Sequence, residues 1–127
     1  MAPRTFKKWE IYWANFGSED KYEYDPKFGK VIGHEQGGRR SVIILNENQA
    51  PEMVLVVPCT GQLDKELYKG LPCILLKKEH SGMNDNSMIL MHQVRPISIE
   101  RISSSRVGYV NNEEIKRKIT LVWNNML

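Results

Sequence analysis

The chain has 127 residues, 41% hydrophobic and 26% charged, with a formal net charge of +3. That length predicts one domain, spanning residues 1–127, with one core and a flexible amino terminus over residues 1–8. The mild positive charge permits an anionic partner without demanding one, and the pairs Lys7–Lys8, Arg39–Arg40 and Lys77–Lys78 read first as solvated surface. Cys59 and Cys73 are the only cysteines, no CxxC occurs, and no His/Cys spacing fits a zinc site. Both cysteines lie in apolar runs and are expected to be free thiols in a reducing compartment. "MAPRTFKK" leads into no apolar segment of signal-peptide type, and no run approaches membrane-spanning length, so the expected location is the cytoplasm.

In chain order, "EIYWANF" (Glu10 to Phe16) is aromatic and β-branched and predicts a first strand, partly buried on both faces. The polar stretch from Ser18 to Ile32 is broken by glycine and proline and is long for a hairpin loop. "SVIILN", "MVLVVPC", "LPCILLK" and "SMILMHQV" follow as short strands bounded by turn residues, and a short helical turn is expected near Ile99 to Ser104. The carboxyl end changes period. Ile115, Ile119, Val122, Trp123 and Met126 fall on one helical face, which is expected to pack on the core. Asn111 is the expected cap, with Glu114 three residues on as in a capping box. Strands first and helix last predict an α+β domain, mainly β: a bent antiparallel sheet or small barrel closed by a helix.

The stretch "GHEQGGRRSVIIL" raises the functional question. Gly37–Gly38 can supply the reversal before a strand, but that leaves His34, Glu35, Gln36, Arg39 and Arg40 unexplained. "VVPCTGQ" ends a later strand in Thr60, Gly61 and Gln62, and "NSMILMHQVRPIS" ends another with His92, Gln93 and Arg95. Three strand–loop junctions thus carry polar groups beside an apolar sheet, and a bent sheet can bring them to one groove.

Taken together, "EIYWANF", "GHEQGGRRSVIIL", "VVPCTGQ", "GLPCILL", "NSMILMHQVRPISIERI" and the final helix resemble the MazF/PemK family of toxin endoribonucleases. The resemblance runs from Trp9 to nearly the end of the chain. It implies an SH3-like barrel of the CcdB/PemK type and a homodimer. It also implies metal-independent cleavage of single-stranded RNA, usually mRNA, with no cofactor, and a MazE-like antitoxin whose extended segment covers the RNA groove. The family's essential arginine and threonine fall on Arg40 and Thr60. CcdB-type toxins share the fold but act on DNA gyrase, and a non-catalytic small-barrel binding module is a third reading. The intact "GHEQGGRR" and "PCTGQ" argue against the gyrase reading, and activity lost in a folded Arg40→Ala variant would separate the nuclease from both alternatives.

The residues suit that chemistry. Cleavage by the substrate's own 2′-OH needs a base, cationic donors on the phosphorane oxygens and an acid for the 5′-oxygen, and yields 2′,3′-cyclic phosphate and 5′-OH ends. Arg40 offers a charged fork for the phosphate, and its pKa above about 12 speaks against a proton-transfer role. Thr60 either donates to a non-bridging oxygen or simply bonds backbone. His34 is the natural proton-transfer group, as base or acid. Glu35 would orient His34 or Arg40, or hold its loop together by accepting backbone N–H bonds. The expected RNA contacts are Tyr22, Phe28, Gln36, Gly37, Arg39, Gln62, Ser87, His92, Gln93 and Arg95, with Tyr22 and Phe28 stacking bases or pinning their own loop. Three positions depart from the family pattern. His92 stands where an acid is frequent, Ser41 where proline is common, and Asn86 where aspartate is common.

Overall fold

A computed structural model describes residues 5–16, 39–46, 52–63 and 68–126. Within them seven antiparallel strands precede one helix. The strands are β1 (Glu10–Asn15), β2 (Arg39–Ile44), β3 (Met53–Thr60), β4 (Cys73–Leu76), β5 (Ser87–Leu90), β6 (Arg95–Ser98) and β7 (Ile102–Tyr109), and the helix is α1 (Glu113–Met126). The order across the sheet is β4-β5-β3-β2-β1-β7, with β6 also paired to β3.

Strand β3 holds the architecture together. One of its edges pairs with β2 over Val56 to Pro58. Its other edge is shared: β6 takes Met53 to Val56 and β5 takes Cys59 and Thr60. A single strand thus bends through both layers, and the domain is α+β, mainly β, as expected of a small SH3-like barrel.

The apolar runs of β2 and β3 do not alternate in sequence because both faces are covered. Ile43, Leu45, Val57 and Cys59 enter one core with Ile74, Leu76, Ile89, Met91, Ile115 and Ile119. Val42, Ile44, Val54 and Val56 enter a second core with Phe6, Tyr12, Ala14, Phe16, Ile97 and Ile102. Each fully buried aliphatic side chain contributes roughly 1.5–3 kcal/mol. Phe6 falls within the stretch expected to be a loose amino terminus, yet it is 1% exposed and stands edge-on to Tyr12 at 5.1 Å.

Several boundaries differ from the sequence expectation. The run "SMILMHQVRPIS" is two strands, because the 3-10 turn Met91–Gln93 separates β5 from β6. The turn expected near Ile99 is a 3-10 turn of Ile99–Arg101, and it leads at once into β7, a strand that the serine run Ser103 to Ser105 conceals. The helix cap is Asn112, not Asn111: its Oδ1 accepts the Ile115 N–H at 2.9 Å. Asn112 as cap puts Ile115 at the third helical position, so Glu114 cannot close a capping box. Ile115 and Ile119 are buried, Val122 and Trp123 are half-buried, and Met126 is exposed, so the last turn leaves the core. At Gly108 a Cβ would stand 2.5 Å from the Ser81 carbonyl oxygen, and the 81–83 turn can close on β7 only because none is there.

Candidate RNA-facing strand ends

Alternation along β3 divides its carboxyl end between two faces. Val57 and Cys59 point into the first core. Pro58 and Thr60 therefore continue the face of Val54 and Val56 beyond the second core. Ladder partners carry that face sideways, since Thr60 pairs with Met88 and Met88 with Leu75. On the other side Val42 pairs with Pro58, and carrying the register two places sets Arg40 opposite Thr60. The place between is occupied by Ser41 and Cys59, whose side chains are hydrogen-bonded. Burial pushes the Cys59 thiol up to about 12, against the opposing pull of the Ser41 hydroxyl and the Arg40 charge. Ser41 thus does a job proline could not, in a buried position on the strand.

Arg40 is half-buried, with Nε out of solvent, and pairs with Ala14 of β1. Thr60 is half-buried, and its Oγ1 accepts the Gln62 N–H at 3.1 Å. That is the backbone bond expected of a strand-end hydroxyl, and it leaves the Thr60 O–H free to donate outward. Gln62 is exposed, and its carbonyl accepts the Tyr68 hydroxyl at 2.9 Å.

Arginines gather at the end of β1. Arg95 pairs with Val56 and lies over the Phe16 ring at 4.9 Å, on the Thr60 face. Arg39 pairs with Asn15 and lies over Trp13 at 5.2 Å, on the opposite face from Arg40. Arg101 donates to the Asn15 carbonyl at 3.3 Å. Among the described residues the ion pairs are Arg106–Glu10 and Lys116–Glu113, and neither involves Arg39, Arg95 or Arg101. Among the described residues no carboxylate pairs with these exposed charges, and they suit an anionic partner.

His92 is turned toward β4. Its Nδ1 lies 3.8 Å from Cys73 Sγ, and its Nε2 lies 3.3 Å from Gln93 Nε2. Burial lowers the His92 pKa and raises that of Cys73, so the two are a neutral imidazole and a thiol, not an activated ion pair. Cys73 pairs with Leu90 and so shares the Thr60 face with Met88 and Leu75. At the β4 edge, against α1, lies a separate groove of about 380 Å³, lined by Cys73, Leu75, Lys77, His80, Ile115 and Lys118 among others. Ser87 pairs with Leu76, which lies in the first core, and is buried there away from Thr60. Asn86 Oδ1 accepts the Lys78 N–H at 2.8 Å and supports the turn before β5.

Of the expected site residues, the fold brings Arg40, Thr60, Arg95, His92 and Gln93 to one face and places Arg39 and Ser87 on the other. Tyr22, Phe28, His34, Glu35, Gln36 and Gly37 lie outside the described residues. Sequence reasoning missed Arg101 and the Cys73 contact of His92. Residues nineteen apart, one on β4 and the other in the turn after β5, leave no local signal of such a contact. Among the described residues no three His, Cys, Asp or Glu side chains come together as a metal ion would need, and no helix is long and apolar enough to cross a membrane.

These features define a class: a small bent β-barrel closed by a carboxyl-terminal helix, with an arginine and a threonine on adjoining strand ends of one face. The family described as PemK-like, MazF-like toxin of type II toxin-antitoxin system matches residues 7–120, and the chain belongs to that family. No curated protein matches the chain. Membership of a type II toxin–antitoxin family implies an antitoxin partner.

Proposed function

We propose that this toxin is a metal-independent endoribonuclease that cuts single-stranded RNA, mRNA above all, and so inhibits translation and growth. The observation that carries the reading is the placement of Arg40 and Thr60 on one face at the adjoining ends of β2 and β3. A phosphate lodged there meets the Arg40 guanidinium and the Thr60 O–H together. Both stabilise charge that grows on the non-bridging oxygens as the 2′-OH attacks. Arg40 stays charged throughout and supplies electrostatics, not protons. Proton transfer falls to His34, with Glu35 orienting it or Arg40. Arg95, with Arg101 nearby, holds the flanking phosphates, and Gln36, Gln62 and Gln93 face base edges. The toxin acts as a homodimer in the cytoplasm, and its antitoxin inhibits by covering the same face.

The end chemistry tests this. With EDTA present, cuts should leave 2′,3′-cyclic phosphate and 5′-OH ends. A single 2′-deoxy nucleotide at the cut position should abolish cleavage there. Cleavage that survives the deoxy substitution would sink the 2′-OH mechanism.

A further inference from the structure

Strand β4 ends one side of the sheet, and among the described residues no strand pairs with its outer edge. The ladder shows which of its backbone groups lie there. The Met91 N–H donates to the Pro72 carbonyl at 3.2 Å, so Pro72 and Met91 are a hydrogen-bonded pair one place before Cys73↔Leu90. Such pairs alternate along antiparallel strands. Ile74 and Leu76 therefore bond to β5, while Cys73, Leu75 and Lys77 turn their backbone groups outward. Two of those groups are used locally: the Cys73 N–H donates to the Leu71 carbonyl and the Lys77 carbonyl accepts the His80 N–H, both at 2.9 Å. The Cys73 carbonyl, both groups of Leu75 and the Lys77 N–H are left along the edge. Lys77 keeps the extended backbone, with φ −74° and ψ 148°, so these groups lie in line.

The groove of about 380 Å³ lies on this edge. Its lining takes the consecutive residues Cys73, Ile74 and Leu75, which alternate between the two faces of the sheet, together with residues of α1. The Asn111 N–H donates to the His80 carbonyl at 3.0 Å and fixes the start of α1 against the turn after β4. On the face of Leu75 the groove has that side chain, 40% exposed, and Lys77. On the face of Ile74, which shares the first core with α1, it has Ile115 and Lys118. Each face thus offers an apolar side chain beside a lysine. Glu114 is the single carboxylate in the lining among the described residues, so the lysines leave the groove net positive. The amino-terminal turn of α1 adds the positive end of its dipole.

We infer that the β4 edge is a docking site for an extended acidic peptide segment of another chain, which joins the sheet as a further strand. A strand paired through Leu75 makes main-chain hydrogen bonds with the outward groups of Cys73, Leu75 and Lys77. Its carboxylates meet Lys77 on one face and Lys118 on the other, and its apolar side chains cover Leu75 and Ile115. Lysines beside an open edge guard it against a second copy, which brings the same charges. An acidic strand turns that repulsion into attraction. The inference does not depend on the ribonuclease reading.

The probe is a short peptide repeating Val-Val-Glu-Glu, which sets valine and glutamate alternately along each face, with a Val-Val-Lys-Lys repeat as control. Hydrogen exchange of the full chain is read residue by residue by NMR. With the acidic peptide at about ten times its Kd, the Leu75 and Lys77 amides should slow about tenfold, and the basic peptide should leave them unchanged. Lys77→Glu combined with Lys118→Glu should weaken the acidic peptide about tenfold and admit the basic one. Leu75→Pro removes the central N–H and should abolish binding, and the charge-reversed protein keeps the test valid if the proline variant does not fold. Leu75 exchange that the acidic peptide leaves unchanged, or that both peptides slow alike, overturns the inference. So does Leu75 exchange that is slow without peptide and quickens on dilution, since a second copy then occupies the edge.

Discussion

Cys59 gives the fold an alkaline weakness that its removal should erase. The residue is 2% exposed, and burial pushes its thiol up to about 12 from the ordinary 9.0. In the folded chain it stays protonated; in the unfolded chain it ionises near 9. Between those values the unfolded state binds fewer protons than the folded state, so stability falls as pH rises. The thiol's contribution is whole below pH 9 and is lost progressively toward about 12. One proton corresponds to about 1.4 kcal/mol per pH unit across that window. Urea midpoints of wild type and Cys59→Ala, taken at about pH 8 and about pH 10, measure it. The alanine variant loses stability at both values through its cavity, but between them wild type should lose about 1 kcal/mol more than the variant. Lysines, tyrosines and Cys73 titrate in both proteins and cancel in the difference. Parallel slopes would refute the reasoning, since they would mean that Cys59 ionises alike in both states. Alkylation gives a second check: three units of raised pKa cut the thiolate population about a thousandfold, so native protein should be labelled at Cys73 long before Cys59.

Three further outcomes are expected. Thr60→Val should lower RNA cleavage about a hundredfold by removing one donor from the phosphate, while Thr60→Ser, which keeps the hydroxyl, should stay within about tenfold of wild type; equal losses in both would deny the hydroxyl its role. Ile119→Ala empties a 1%-exposed site between α1 and the first core, and calorimetry should show a loss of about 2–5 kcal/mol, a fall in Tm of roughly 10 °C. Gly108→Ala drives a Cβ to 2.5 Å from the Ser81 carbonyl, and the urea midpoint should report about 1–3 kcal/mol of destabilisation. A neutral substitution there would mean that the 81–83 turn does not press on β7.

How much could be read in advance depended on what each segment faces. The runs in β2 and β3 announce buried strands because both their faces are apolar. β7 hides because Ser103 to Ser105 lie at its irregular middle, where the pairing with β1 slips between Tyr12 and Ala14. The break between β5 and β6 has no local mark: it exists because β3 bends, and only the fold shows that. The capping-box spacing to Glu114 points to Asn111, and the cap at Asn112 instead follows from the register that buries Ile115 and Ile119. Arg40 and Thr60 stood out through their motifs, and alternation along two paired strands puts them on one face. The same alternation sends Arg39 and Ser87 away, a distinction that needs the pairing as well as the motif.

The central claim is that the Arg40–Thr60 face cleaves RNA. Purified wild type and Arg40→Ala, both shown to be folded, should be incubated with a long single-stranded RNA in EDTA and the ends mapped. The account predicts discrete cuts by wild type and a loss of about a hundredfold or more in the variant, the effect of removing one charged donor from a developing phosphorane. Intact RNA with folded wild type, or equal cutting by the two proteins, would contradict it.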